Sequence, residues 1–435
     1  MSNRGNRGVS RRAVLSGAAA AASGVWLAPA TAARAGTGAA ATAVDAVASA
    51  LDRELIELRR SIHRHPETAG LERRTAAVVA RRLRAAGLRV TTGVGGYGVV
   101  AVLDGARAGR TVAYRADMDA VAPKDQVAGG TEAAHLCGHD LHTTIGVGVA
   151  QVLARLRARL AGRVVFVFQP AEEALTGAAA MLADGVLART RPAEIHALHC
   201  GPFPVGNFVV MPGTGLPGQD RGTITVTGAD AAARARRLAD EISALGTVSR
   251  PATPADLERL VAELQMPDGP LAGFIFMQAR AAEFEDRAEV QISYRCWPQE
   301  RYAEVREAIN GLAGSAGGAA ASFPNDPFPA MVTPLREGLA LQEFLHRTVG
   351  RDRTQRLYAA IPYSGEDFAL FLNRIPGSYA YLGVRAPGAA IETSYPHFGT
   401  FDPDERAIGH GVRAMAGWLA SRTHAGAATA GRGTI

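Results

Sequence analysis

Within eight residues, His135-Leu136-Cys137-Gly138-His139-Asp140-Leu141-His142, the chain carries a thiol, three imidazoles and a carboxylate. Such side chains bind zinc-like or transition metals, but only when they converge with further donors. A fold that uses this stretch must therefore bring other segments onto it. An extended backbone would throw Cys137 and His139 to one side, and Gly138 between them would let the chain bend around an ion. The apolar run Ile145–Leu153 predicts a helix leaving the site. Taken alone, the stretch also fits a polar turn with surface histidines; the segments downstream argue against that.

The first of these is Glu172-Glu173, which follows the continuous apolar strand Val164–Phe168 through Gln169-Pro170-Ala171. Adjacent carboxylates repel, so one needs a cation or a proton. A natural division is one metal ligand and one general base acting on water. His199 ends the next expected strand, Glu194–Leu198, and His397 sits in a Pro/Gly loop near the C-terminus. Cys137, His139, one of the two glutamates, His199 and His397 are five donors from four stretches, a number that suits two ions sharing a bridge. No His-Glu-x-x-His occurs, which removes the helix-borne zinc protease.

Around these residues the chain alternates helices and strands. Helices are expected at Val44–Ile62, Thr75–Ala86, Thr144–Leu156 and Asp404–Leu419, and strands at Leu88–Thr92, Val99–Leu103, Thr111–Tyr114 and Ser378–Leu382. Gly93-Val94-Gly95-Gly96-Tyr97-Gly98 matches a dinucleotide fingerprint letter for letter, but a strand follows it, so no helix N-terminus is there to hold a pyrophosphate. The fold class is α/β, with chemistry at strand ends. Residues 222–314 read as a separate α+β unit: strand, two helices, two strands and a helix. They divide a main domain into 45–221 and 325–422, joined by the small-residue link Gly314–Gly318.

The N-terminus reads as an address. Ser10-Arg11-Arg12-Ala13-Val14-Leu15 is a twin-arginine pattern, an Ala-rich apolar stretch follows, and Ala33-Arg34-Ala35 precedes Gly36 as a cleavage site. Residues 1–35 are expected to be a bacterial export signal, making the mature protein periplasmic or secreted, with no stable membrane anchor after cleavage. They carry five arginines and no acid, so their removal takes the formal charge from +6 to +1. Nucleic-acid binding then has no support from charge. Three cysteines make no disulfide framework for an exported chain.

The set His63-Arg64-His65-Pro66-Glu67, Arg115-Ala116-Asp117-Met118-Asp119, Cys137-Gly138-His139-Asp140-Leu141-His142, Gln169-Pro170-Ala171-Glu172-Glu173, Leu198-His199, Gly365-Glu366-Asp367-Phe368 and Phe401-Asp402-Pro403-Asp404-Glu405 resembles the M20 metallopeptidase family. The likeness is to its amidohydrolase branch of hippurate, N-acyl-amino-acid and indole-acetyl-amino-acid hydrolases. It covers roughly 45–215 and 325–420. The resemblance implies a mixed-sheet metallo-exopeptidase-like catalytic domain with a smaller inserted lid that mediates dimers. It implies two divalent ions, Zn²⁺ or Mn²⁺ with Co²⁺ or Ni²⁺ as alternatives, held by Cys137, His139, Glu173, His199 and His397. Glu172 would be the general base, Asp119 and Asp140 would orient ligands, and His65 and Glu366 would lie near the substrate. The implied activity is hydrolysis of a small-molecule amide, an N-acyl amino acid or similar, to a carboxylate and an amine.

The lid departs from the family. The Gly-His-Gly-Ala-x-Pro-His-like stretch of its first strand reads Thr227-Gly228-Ala229-Asp230-Ala231-Ala232-Ala233 here, and no histidine occurs between His199 and His346. Either another group such as an arginine replaces that oxyanion donor, or the protein holds metal and ligand but turns over weakly. A metallo-carboxypeptidase or aminoacylase of altered specificity is the alternative within enzymes. The leader is testable by itself: replacing Arg11 and Arg12 with lysine should leave the protein in the cytoplasmic fraction, and export at the wild-type level would discard the twin-arginine reading.

Overall fold

The computed structural model describes residues 41–316 and 320–424. The expected leader 1–35, the tail 425–435 and part of the Gly314–Gly318 link lie outside them. Among the described residues the strands are, in chain order, β1 (Arg89–Val94), β2 (Gly98–Asp104), β3 (Arg107–Asp117), β4 (Ala161–Gln169), β5 (Ile195–Pro204), β6 (Phe208–Val210), β7 (Gly215–Leu216), β8 (Asp220–Thr227), β9 (Phe274–Glu283), β10 (Arg287–Trp297), β11 (Met331–Val332), β12 (Thr354–Arg356) and β13 (Gly377–Arg385). Eight form one mixed sheet in the order β1-β2-β4-β3-β5-β13-β6-β12. Its centre, β4-β3-β5-β13, is parallel, so the carboxyl ends of four strands open at one edge, where α/β sheets place their sites. The Gly93–Gly98 stretch forms the turn of the antiparallel β1–β2 hairpin, so a strand and not a helix follows it.

The buried sheet shows why the central strands are apolar throughout. Along β4, Val164, Phe166 and Phe168 enter one core with the helices Asp52–His63, His139–Arg155 and Arg406–His424. Val165 and Val167 enter a second core on the opposite face. With both faces covered, period-two alternation between polar and apolar disappears.

Three local readings change. The helix expected over Val44–Ile62 is two, 41–49 and Asp52–His63, interrupted by a turn in which Leu51 N–H donates to the Ala48 carbonyl at 2.8 Å. β5 runs on to Pro204, so His199 lies inside a strand rather than at its end. The helix after the Cys137 stretch begins at His139 rather than Thr144, and Gly138 is its N-cap at φ +85°. Cys137 and His139 are therefore brought together by a left-handed turn into a helix, not by an extended strand.

Within 222–314, β8-β10-β9 form a three-stranded antiparallel sheet with its own core against Ala231–Ser243 and Tyr302–Ser315. The helix Pro254–Leu264 does not join it. Its Leu260 and Leu264, with Leu271, are buried in the second core of the large sheet beside Val209, Leu357 and Phe368. Glu258 pairs with Arg385 at 2.5 Å. This segment leaves the inserted sheet and straps it to the main body.

Gly138 and Gly87 separate two costs. Both are left-handed, but a Cβ on Gly138 would lie 2.3 Å from Cys200 Sγ, whereas at Gly87 it meets open space. Gly87→Ala should cost about 1–2 kcal/mol from the backbone alone, and Gly138→Ala measurably more. Urea denaturation of both variants checks this; equal losses would discount the Cys200 contact.

Candidate metal centre

The site is built where β3 and β4 end, beside the middle of β5, which carries His199. In β3, residues 115 and 117 share a face, so Arg115 and Asp117 both enter it. The helix starting at His139 adds its first side chain, and the turn after β4 adds Glu172 and Glu173. The loop between β13 and the helix Arg406–His424 adds His397.

Three histidines are held in the same way. Nδ1 of His139 lies 2.9 Å from the Asp119 carbonyl, Nδ1 of His199 2.7 Å from the Cys200 carbonyl, and Nδ1 of His397 3.1 Å from the Asp125 carbonyl. A carbonyl can only accept, so each Nδ1 donates to it, which leaves Nε2 as the nitrogen that an ion could take once it is free of a proton. Those Nε2 atoms face donors. His139 Nε2 is 3.8 Å from Glu173, His397 Nε2 is 3.4 Å from Glu173, and His199 Nε2 is 3.6 Å from Cys137 Sγ. Donor atoms of Cys137, His139 and Glu173 all lie within 4.8 Å of one another, as do those of Asp117, His139, His142 and His199. The structure thus brings Cys137, His139, Glu173, His199 and His397 into one group. His397 holds a left-handed backbone (φ +71°) to do so, tied by its N–H to the Leu136 carbonyl and by its carbonyl to Val127 N–H.

Neighbours complete the arrangement. His142 donates from Nδ1 to Asp117 at 2.6 Å and accepts Cys200 N–H at Nε2 at 2.8 Å, so both its nitrogens are used. Asp119 links two members: its carbonyl orients His139, and its Oδ2 accepts Glu173 N–H at 2.9 Å. Asp140 is buried against Arg59 (2.7 Å) and His63 (2.8 Å). His65 is exposed, with Nδ1 on the Ser61 carbonyl at 3.0 Å. None of its hydrogen bonds reaches the group.

Behind the donors, the buried Arg115 guanidinium holds Asp117 (2.5 Å), Glu366 (2.9 Å) and Asp367 (3.3 Å). Glu366 also accepts from Tyr379 OH at 3.0 Å and Phe368 N–H at 3.0 Å, so it stands inside this network. Glu172 is buried, 3.8 Å from His139 Nε2 and grouped with Glu366 and Asp367. Burial, then Glu366, Glu173 and Asp367, push the Glu172 carboxyl well above the usual range. Burial likewise raises the Cys137 thiol. In His139 burial opposes protonation, but Asp117, Asp119 and Glu173 outweigh it and raise the imidazole to about 10. Burial is the larger cause for Glu172 and Cys137, and neighbouring carboxylates add to both and drive the shift of His139. The donor set fits cations: His139 Nε2 and Glu173 Oε1 are buried without a hydrogen-bond partner, and an ion between them would satisfy both.

Sequence reasoning assigned no role to Arg115, Asp117 or Asp367, although their motifs were in view. Arg295 of β10 was missed as well. It donates to the Gly218 carbonyl at 3.2 Å and packs on Gly365, where a Cβ would lie 2.6 Å from its guanidinium. The inserted sheet therefore reaches the Gly365-Glu366 loop with an arginine.

Residues 113–421 match the model of peptidase family M20/M25/M40. The chain is 30% identical to an N-acetylcysteine deacetylase of Bacillus subtilis, over 81% of this chain and 93% of that one. It is 26% identical to an N-acetyldiaminopimelate deacetylase of Enterococcus faecalis, over 85% and 97%. The crystal structure of a dinuclear metal-binding peptidase of the M20 family from Bacillus subtilis superposes with a TM-score of 0.66, at 27% identity, over 86% of this chain and 99% of that one. Sequence, fold and donor set agree: the chain belongs to peptidase family M20/M25/M40 and is a metal-dependent amidohydrolase.

Proposed function

We propose that this protein is an exported hydrolase of N-acyl amino acids or closely similar small amides, working with two divalent cations. The observation that carries the reading is the common setting of His139, His199 and His397, each with Nδ1 spent on a main-chain carbonyl and Nε2 turned toward Glu173 or Cys137. Histidines placed for packing or surface polarity have no reason to share that hydrogen bond and that target. The deacetylases it resembles support the substrate class, and the arginine pair Arg11-Arg12 supports export.

Cys137, His139, Glu173, His199 and His397 would hold the ions, for which thiolate and imidazole donors favour Zn²⁺, while the carboxylate also admits Mn²⁺. Bound there, the ions would polarise an amide carbonyl and make water acidic enough to attack near neutral pH. Glu172 would take the water's proton at Oε2 and deliver it to the leaving nitrogen. Its buried, anionic surroundings suit a carboxyl that must hold a proton between two steps. Asp119 would keep His139 and Glu173 in register, and Arg115 would keep Glu366 and Asp367 from drawing that proton away. Arg295 is the inserted sheet's cationic group at the site and would serve where relatives use a histidine.

Purified protein should release free amine from a panel of N-acyl amino acids. Glu172→Gln should lower kcat by about 10²–10⁴-fold, with metal content by elemental analysis unchanged; activity near wild type would remove Glu172 as the proton carrier. Dialysis against a chelator should abolish turnover, and Zn²⁺ or Mn²⁺ should restore it. Cys137→Ser should then bind fewer than two ions per chain, and full occupancy in that variant would exclude the thiolate as a ligand.

A further inference from the structure

The turn that carries Glu172 and Glu173 is held at both ends by buried carboxylates. Asp119 Oδ2 accepts the Glu173 N–H at 2.9 Å, and Glu72 Oε1 accepts the Ala171 N–H at 2.8 Å. Glu72 lies 99 residues before Ala171 in the chain and is wholly buried. The same oxygen accepts the Gly70 N–H at 2.8 Å, while Oε2 has no hydrogen-bond partner. Glu72 is the N-cap of the helix Arg73–Ala85, yet its side chain makes no capping bond to that helix. Glu67 caps it instead, accepting from Arg74 N–H and Thr75 N–H at 2.8 Å each and from the Thr75 hydroxyl at 2.9 Å. A buried, half-satisfied carboxylate lowers stability. The helix gains nothing from it; the turn at Ala171 does.

Ala171 is a residue that has to be held. Its backbone is left-handed (φ +52°), as is that of Leu175 (φ +55°), a conformation that is unfavourable for any side chain with a Cβ. Within the turn, the Glu172 carbonyl accepts Leu175 N–H at 2.7 Å and the Ala171 carbonyl accepts Gly177 N–H at 3.1 Å. Those bonds set its internal shape; the bond to Glu72 ties it to the rest of the molecule. The segment bearing Glu72 is itself anchored, because Ala120 N–H donates to the Glu67 carbonyl at 2.8 Å. Ala120 follows Asp119, so the two carboxylates that pin the turn share one support. Glu172 stands between the pinned residues, its carboxyl 3.8 Å from His139 Nε2. A group that moves a proton acts only within hydrogen-bond reach, and a small misplacement is costly.

We propose that Glu72 is a positioning residue for Glu172: by accepting the Ala171 N–H it fixes the left-handed turn that aims the Glu172 carboxyl at the metal centre. The inference rests on the reading of Glu172 as the proton carrier and adds a residue to it. Glu72 acts as an acceptor at a set reach rather than as a charge. A glutamine therefore serves, and a shorter acid does not.

Three variants of the metal-loaded full chain test this. Glu72→Gln keeps the accepting oxygen and should hold kcat within about 3-fold of wild type. Glu72→Asp, one methylene short, and Glu72→Ala should each lower kcat by about 10–10²-fold, with KM and the zinc content by elemental analysis unchanged. Hydrogen exchange followed by mass spectrometry reads the turn without turnover. Peptides spanning 168–177 should exchange about 10-fold faster in the aspartate and alanine variants and at the wild-type rate in the glutamine variant. If the alanine variant fails to fold, aspartate against glutamine decides. Wild-type kcat in Glu72→Asp, a glutamine variant as slow as the aspartate one, or unchanged exchange at 168–177 would overturn the proposal. Glu172→Gln measured alongside separates the two failures. If it loses turnover while Glu72→Asp does not, Glu72 has no positioning role and the reading of Glu172 stands. If it stays active, that reading falls and the proposal with it.

Discussion

Six carboxylates, Asp117, Asp119, Glu172, Glu173, Glu366 and Asp367, meet at the carboxyl edge of one sheet, and all but Glu173 are almost wholly buried. Buried anions are tolerated only with counter-charge and hydrogen bonds. Arg115 supplies one positive charge and spreads it over three of them. Main-chain and side-chain amides supply more bonds: Ala178 N–H and the Gln169 amide to Asp367, Phe368 N–H to Glu366, and Glu173 N–H to Asp119. The remaining imbalance is what the donor group of Cys137 and the three histidines is placed to settle with cations.

That electrostatic demand explains local features that are otherwise costly. His397 keeps a left-handed backbone because two hydrogen bonds to Leu136 and Val127 hold its loop over Glu173. Gly138 is left-handed because the chain must turn from Cys137 into a helix within one residue, with Cys200 Sγ filling the space a side chain would need. His397 gives up local backbone stability for the position of a donor, as strained residues at working sites commonly do, whereas Gly138 turns without strain because it has no Cβ.

The inserted segment has a divided attachment. Its sheet has a separate core, yet the Pro254–Leu264 helix is buried in the main body. Its first strand carries no histidine, and Arg295 of β10 packs on Gly365 beside Glu366.

Much of the centre was legible in the chain itself. Cysteine, histidine and paired glutamate are residue types whose chemistry is intrinsic, so Cys137, His139, Glu172, Glu173, His199 and His397 stood out by spacing and company, and the apolar run of β4 announced a strand buried on both faces. The sequence did not separate ligand from bystander. His142 sits in the same motif as His139 and is excluded only because Asp117 and Cys200 N–H occupy both its nitrogens. Glu366 was expected near the substrate, and the structure adds that it is held by Arg115, 251 residues away along the chain. Hydrogen bonds of that span depend on which strands become neighbours, and the order β4-β3-β5-β13 is set by the packing of two cores rather than by any local pattern. Residue chemistry determined that a metal-dependent hydrolase could be made from this chain; strand order decided which side chains meet at the site and which hold the others in place.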